Sequence, residues 1–264
     1  MSTTSTIDRP AHQTSDPEVK HYWDKGWLLL KGLFTREEAA AWSKETDRLL
    51  ALDLINQDNL RTGFRKVDNE MRLERFDPVI DVSPLFDKLV QDAKIINVLT
   101  RIFNDKPNLF KDKLIFKLPK MTGYDWHQDQ AWWQMCAADD ILSVSISIDG
   151  ANKTNGCLEV LDGYHHKLLT PPGELRNIRY DETDILLEPK KAIPVETEPG
   201  DVLIFHSQTP HKSGPNTADY SRKSLYLTYC ANRSGNLYAA HRDHYKTYVT
   251  KNMSPEDKAR KYFK

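Results

Sequence analysis

Five residues near the middle of the chain, Trp126-His127-Gln128-Asp129-Gln130, carry the pattern from which both the fold and the chemistry are predicted. In a β-strand, side chains two residues apart point to the same face. His127 and Asp129 therefore present an imidazole nitrogen and a carboxylate oxygen to one ion. Two ligands make a weak site, so a third donor is expected on a neighbouring strand.

His211 is the best candidate for that third donor. It follows an apolar stretch at residues 202–205, about 80 residues beyond Asp129. Two histidines and one carboxylate on one face leave open positions on an octahedral ion, which is typical of non-haem Fe(II) oxygenases. The three residues therefore predict an Fe(II) site at His127, Asp129 and His211.

Arg222 and Ser213 supply a second predicted element, an anchor for a dicarboxylate cosubstrate. Arginine presents a planar fork that matches a carboxylate, and a serine hydroxyl adds a further hydrogen bond. Arg222 also begins an alternating strand in which four polar side chains share a face. That face is predicted to line a pocket, and its members are Arg222, Ser224, Tyr226 and Thr228.

Short alternating strands dominate the second half of the chain, and helices dominate the first. Strand patterns occur at residues 26–30, 114–118, 143–148, 157–161, 201–205 and 223–229. Thr35 and Glu38 form a capping box that predicts a helix over residues 36–50. Ser83-Pro84 opens a second helix predicted to reach about residue 103, and Ser254-Pro255 opens a short one. The pattern predicts an α+β or mainly β chain, a β-sandwich or double-sheet barrel with helices on its outer face.

The composition of the chain argues against several classes of protein. The chain has 264 residues with 37 Lys and Arg against 38 Asp and Glu, a balance that gives no support for nucleic-acid or membrane binding. Three cysteines without a CxxC pair favour a reducing, cytoplasmic setting. Residues 1–17 are polar and read as a flexible tail, not a signal peptide. Residues 18–264 are predicted to form one domain, and the oligomeric state stays open.

Taken together, these motifs resemble the phytanoyl-CoA dioxygenase family of Fe(II)/2-oxoglutarate oxygenases, in its ectoine-hydroxylase-like branch. The family pattern is H-x-D, then H-x-S-G-x-N, then an arginine; the chain has His127-Gln128-Asp129, residues 211–216 and Arg222. Residues 112–117, 155–161 and 200–205 extend the resemblance. It implies a double-stranded β-helix (a cupin-like jelly roll) with supporting helices mostly from the N-terminal half.

The resemblance also implies site roles. Iron would be bound by His127, Asp129 and His211, and 2-oxoglutarate by Arg222 and Ser213, with Lys117 near the cosubstrate. One departure is Asp162-Gly163-Tyr164-His165-His166, where the family commonly has P-G-S-H. Because related halogenases replace the carboxylate of H-x-D by a small residue, Asp129 favours hydroxylation.

The substrate side gives weaker signals. Trp126, Trp132 and Trp133 surround the H-x-D segment, either as core or as an aromatic wall for the substrate. Charged segments at residues 59–77 and 178–189 are candidate lids. The first is basic, which favours an acidic or zwitterionic substrate, although such a run also fits a solvated face; its basic residues are Arg61, Arg65, Lys66, Arg72 and Arg75.

The predicted reaction is hydroxylation of a C–H bond of a small, polar or acidic molecule, with O₂ consumed and succinate and CO₂ released. Desaturation or epimerisation with 2-oxoglutarate remains open. A hydrolase on the same scaffold is disfavoured, because it needs no dicarboxylate anchor such as Arg222. A non-catalytic module that binds a metal or a small acid is the alternative from another class.

Overall fold

The computed structural model describes residues 14–173, 177–178 and 191–263. Within these ranges the helices are α1 (Pro17–Lys25), α2 (Arg36–Leu50), α3 (Pro84–Leu89), α4 (Ala93–Phe103), α5 (Tyr238–Thr250) and α6 (Pro255–Arg260). The strands are β1 (Trp27–Leu30), β2 (Thr62–Val67), β3 (Glu70–Phe76), β4 (Pro107–Lys117), β5 (Tyr124–His127), β6 (Ile141–Ser147), β7 (Leu158–Val160), β8 (Ile193–Val195), β9 (Val202–His206), β10 (His211–Ser213) and β11 (Arg222–Ala231).

The strands form two antiparallel sheets, as the alternating patterns predict. The larger sheet has seven strands in the order β1-β9-β6-β11-β4-β3-β2, and the smaller has four in the order β5-β10-β7-β8. Neighbouring strands in both sheets are often far apart in sequence, as expected for a jelly roll. The pairing of β10 with β5 brings the second predicted metal motif beside the first.

Strand β6 shows how the two faces of the larger sheet differ. Val144 and Ile146 belong to the main apolar core, in which helices α1 to α4 pack on this sheet. Ser143 and Ser145 alternate with them and point into the space between the two sheets. The core therefore lies outside the barrel, under the helices, and part of the barrel interior stays polar.

Local sequence signals fix several helix ends. Thr35 and Glu38 form the predicted capping box, and α2 spans the predicted residues. The single helix predicted from Ser83 to about residue 103 is wrong, because the chain turns after Leu89 and restarts. Asp92 caps the new helix α4 by accepting a hydrogen bond from the Lys94 N–H at 2.8 Å.

The first candidate lid has regular secondary structure. Residues 59–77 contain strands β2 and β3, an antiparallel hairpin that joins the edge of the larger sheet beside β4. Of the second candidate lid, residues 178–189, all but Ile178 lie outside the described residues. The same holds for residues 1–13 of the predicted tail, whereas Asp16 caps helix α1. Within the described ranges, no helix is long and apolar enough to cross a membrane.

Candidate metal centre

Three side chains meet at the edge of the smaller sheet. His127 ends β5, Asp129 follows in a short 3₁₀ turn, and His211 opens β10 directly opposite His127. The centroids of the two imidazole rings lie 4.2 Å apart. Their Nε2 atoms lie 3.9 Å (His127) and 4.0 Å (His211) from Oδ1 of Asp129. One donor atom from each residue lies within 4.8 Å of the other two, a spacing that a single ion can bridge.

The outer hydrogen bonds of these residues aim the donor atoms at one point. The Nδ1 atoms of His127 and His211 lie 2.7 Å and 2.9 Å from the carbonyl oxygens of Asp125 and Thr209. Each Nδ1 therefore carries the proton, which leaves a lone pair on each Nε2. Ser143 donates to Oδ2 of Asp129 at 3.1 Å, so that Oδ1 remains for the ion.

Electrostatics favours the ligand form of these groups. Burial lowers the pKa of His127, and the neighbouring charge of His211 lowers it further. For Asp129, burial raises the pKa, but the positive charges of His211, His127 and Lys113 bring it below its ordinary value. Neutral imidazoles and an ionised carboxylate are the forms that bind Fe(II). The donor set therefore fits this ion.

The triad lines a cavity of about 310 Å³ between the sheets. Arg222, Ser213 and Lys117 lie at one end of it. The Arg222 guanidinium is buried, bonds Ser224 at 3.2 Å, and its Nε has no hydrogen-bond partner among the described residues. An unpaired buried cation is costly and calls for an anion.

Lys117 holds the serine beside this cation. Its Nζ donates to Ser213 Oγ at 2.9 Å and to the carbonyl oxygens of Gly156 and Gly214. Burial, with the charges of Arg222 and Arg65, lowers the pKa of Lys117 to about 7. A Cβ at Gly156 would lie 2.5 Å from the Gly214 oxygen and 2.8 Å from Lys117 Nζ, so only glycine fits there.

The three candidate tryptophans lie in two places. Trp132 and Trp133 line the cavity. Trp126 is buried in a separate apolar cluster with Leu161 and Leu169, behind the smaller sheet, and does not line the cavity. The structure therefore brings two of the three indoles to the site. Residues 162–166 are the segment that differs from the P-G-S-H sequence of the family. Within it, Tyr164 packs against the Trp126 cluster, and His165 is buried against Gly26.

Helix α5 contributes a wall that sequence reasoning missed. Tyr245, Tyr248 and Val249 line the cavity. Tyr248 packs edge-on against Trp132, with ring centroids 4.2 Å apart. The usable signal was the spacing of Tyr238, His241, Tyr245 and Tyr248, which places them on one helix face.

Comparisons with known proteins agree with this geometry. Residues 22–224 match the phytanoyl-CoA dioxygenase (PhyH) family. The chain is 26% identical to a 2-aminoethylphosphonate dioxygenase of uncultured bacterium HF130_AEPn_1, over 80% of each chain. It is 27% identical to a probable alpha-ketoglutarate-dependent hypophosphite dioxygenase of Stutzerimonas stutzeri, over 81% of this chain and 78% of the relative.

A solved structure confirms the predicted fold class. EctD from S. alaskensis with bound Fe superposes with a TM-score of 0.72 at 20% identity, covering 84% of this chain and 78% of that one. The match supports the cupin-like jelly roll with supporting helices. With the family match over most of its length, the chain belongs to the phytanoyl-CoA dioxygenase family, and it is a 2-oxoglutarate-dependent dioxygenase that uses iron.

Proposed function

We propose that this dioxygenase hydroxylates a C–H bond of a small polar or acidic molecule, with iron held by His127, Asp129 and His211. The observation that carries the proposal is the convergence of two free Nε2 atoms and one carboxylate oxygen on the cavity wall. Iron with 2-oxoglutarate and O₂ supplies the oxidising chemistry when bound. Three protein ligands leave room for these reactants and exclude a closed structural site.

Arg222 is proposed to hold the far carboxylate of 2-oxoglutarate. Its guanidinium is buried in the cavity wall without an acidic partner among the described residues, so a carboxylate there would satisfy both charge and hydrogen bonding. Ser213 adds a hydroxyl, and Lys117 positions that hydroxyl through a 2.9 Å hydrogen bond. In this proposal Lys117 orients the serine and lowers the cost of the bound anion.

Several groups orient and shield the reaction. Ser143 keeps Oδ1 of Asp129 turned inward, and the backbone carbonyls of Asp125 and Thr209 fix the two imidazoles. Trp132, with Tyr248 packed against it, limits the entry of water from the side of helix α5. The carboxylate at Asp129 supports hydroxylation over halogenation, because it fills the position that a halide would need.

The names of the relatives support a small polar or acidic substrate. One relative is named for 2-aminoethylphosphonate and another for hypophosphite, both small charged molecules. We also propose that residues 18–264 form one domain, supported by β1 near one end of the chain pairing with β9 in the larger sheet. A cytoplasmic location is proposed from the odd cysteine count without CxxC spacing.

The test combines spectroscopy with product formation. The protein is reconstituted without oxygen with Fe(II) and 2-oxoglutarate, and a weak visible charge-transfer band is expected. Exposure to O₂ then yields succinate. Arg222→Met should raise the 2-oxoglutarate concentration for half-maximal succinate formation about 10- to 100-fold, the usual range for losing a charged hydrogen-bonded pair.

Arg72→Met is the matched control, because Arg72 lies on the hairpin and its guanidinium forms an ion pair only with Glu70 among the described residues. That variant should behave as wild type. Absence of the band, with no 2-oxoglutarate binding by calorimetry and no succinate, would show that the proposal is wrong.

A further inference from the structure

Lys113 is a basic residue in the cavity wall that belongs neither to the proposed metal ligands nor to the proposed cosubstrate anchor. It lies on β4, and its side chain lines the cavity together with the metal triad. No described residue forms a hydrogen bond or ion pair with its ammonium. The ring of Tyr226 lies beside it, with its centroid 5.2 Å from Nζ.

The other cations at this end of the cavity are already paired. Lys111 lies 2.8 Å from Asp77. Arg75 lies 3.0 Å from Glu74, whose other oxygen binds a second arginine. Both of these carboxylates are therefore engaged, and no described carboxylate forms an ion pair with Lys113.

The register of the larger sheet separates Lys113 from the cosubstrate anchor. Lys113 pairs with Tyr226, and Lys117 pairs with Arg222. Four residues along a strand correspond to about 13 Å. Arg222 and Lys113 are thus positioned to bind two different anionic groups.

Lys113 and the metal triad line the same cavity. Its positive charge contributes to lowering the pKa of both His127 and Asp129. Burial lowers the pKa of Lys113 itself, and the charge of Lys111 lowers it further. An anion beside Lys113 would offset this cost and would place a bound molecule next to the iron ligands.

We propose that Lys113 binds an oxyanion of the substrate, a carboxylate or a phosphonate, and so selects small acids. This inference rests on the proposed function and names the substrate class of the same site. The group to be hydroxylated then lies on the metal side of the anion. Trp132 and Trp133, which line the same cavity, form apolar walls that suit a short carbon chain.

The experiment measures binding without turnover. The protein is loaded with Fe(II) and 2-oxoglutarate in the absence of oxygen and titrated by calorimetry with methylphosphonate, propionate and the neutral propionamide. At least one of the two acids should bind about tenfold more tightly than propionamide. The two acids together show which oxyanion the site prefers.

Two variants and a matched control assign the effect to Lys113. Lys113→Met should weaken binding of the preferred acid at least about tenfold and leave 2-oxoglutarate affinity within about twofold. Lys113→Arg keeps the charge and should retain most of the affinity. Lys66→Met removes an exposed lysine of the hairpin, outside the cavity lining, and should change nothing.

The folded state provides a separate readout. The Lys113→Met substitution removes a buried ammonium that has no ion-pair partner in the described part of the chain. The melting temperature of the variant should therefore equal or exceed that of wild type. Equal acid affinity in wild type and Lys113→Met, a loss of 2-oxoglutarate affinity instead, or no preference of wild type for either acid over propionamide would overturn the inference. A wild-type protein that fails to bind 2-oxoglutarate would instead contradict the proposed function.

Discussion

Among the described residues, two pairs of buried histidines can be compared, and one of them has the form of a metal site. His127 and His211 have ring centroids 4.2 Å apart, and His165 and His206 have theirs 5.3 Å apart. All four imidazoles are buried. Burial and proximity are therefore shared, and neither separates a ligand from a core residue.

The pairs differ in what their ring nitrogens contact. In the first pair each Nδ1 faces a backbone carbonyl, and each Nε2 faces Asp129. In the second pair, Nε2 of His206 lies 3.1 Å from Asp139, and its Nδ1 accepts the Gln208 N–H at 3.0 Å.

His165 is held by a backbone contact and by close packing against Gly26. Its Nε2 lies 3.0 Å from the Trp23 carbonyl oxygen, and a Cβ added at Gly26 would lie 2.6 Å from its ring. The difference teaches that a metal site needs inward nitrogens left free by outer hydrogen bonds, together with a carboxylate.

The largest expected effect comes from removing a member of the first pair. His211→Ala or His127→Ala should abolish succinate formation and lower iron affinity by more than about 100-fold, because losing even a group that only hydrogen-bonds a metal ligand costs about 10- to 100-fold. The metal-free variants should keep the circular dichroism of wild type. Iron content after dialysis and succinate yield are the measurements. Full activity in either variant would remove the basis for assigning this pair to the metal.

The second expected effect comes from the other pair and lies in stability. His206→Ala leaves Asp139 and the Gln208 N–H without their shared ring, which should cost about 2–3 kcal/mol. For a chain of this length, the melting temperature should then fall by about 4–10 °C.

Iron and 2-oxoglutarate affinity of the folded His206→Ala protein should stay unchanged. Thermal unfolding and calorimetry on the same preparation separate the two effects. Loss of iron binding at unchanged melting temperature would place His206 with the metal site and break the comparison.

The smallest effect concerns a fifth buried histidine, His241 on α5, whose ring packs 4.5 Å from that of Phe110. Burial, with the charge of Lys111, lowers its pKa to about 3. Below pH 6.5 the unfolded chain therefore binds a proton at His241 that the folded chain does not bind. The contribution of neutral His241 to the free energy of unfolding is complete above pH 6.5 and is lost as the pH falls towards 3.

His241→Phe removes that proton linkage. Between pH 6.5 and 5, urea unfolding of the metal-free protein should show wild type losing about 1–2 kcal/mol more than the variant. The metal ligands titrate in both proteins, so their contribution cancels. Parallel stability curves would show that His241 is not held neutral by its surroundings.

The basic hairpin shows what a count of charges leaves out. Residues 61–75 contain five basic side chains, which favoured an acidic or zwitterionic substrate or, alternatively, a solvated face. In the structure Arg61 is buried and bonds Asp81, and Arg72 contacts Glu70. Arg65 and Arg75 share Glu74. Lys113 on β4 has no ion-pair partner among the described residues, because pairing depends on neighbours in space that a charge count does not contain.

Sequence patterns predicted the structure better where the deciding contacts are between residues close together in the chain. The Thr35 capping box placed helix α2, because the hydroxyl and the carboxylate satisfy backbone groups only three residues away. The break between α3 and α4 was missed, since a capping aspartate inside an apolar helical pattern looks like an exposed residue. Helix α5 was missed because its aromatic face is interrupted by charged residues that face solvent.

The sequence by itself determined most of the strands of the two sheets, helix α2, the family resemblance and the candidate metal ligands. These follow from periodicity and from motifs whose members lie within a few residues of one another. Only the tertiary structure decided which histidines have free nitrogens, which cations lack a partner, that Trp126 lies away from the cavity, and that α5 closes one wall. Each of these depends on contacts between segments far apart in the chain, and the free energy of a buried charge is set by those contacts.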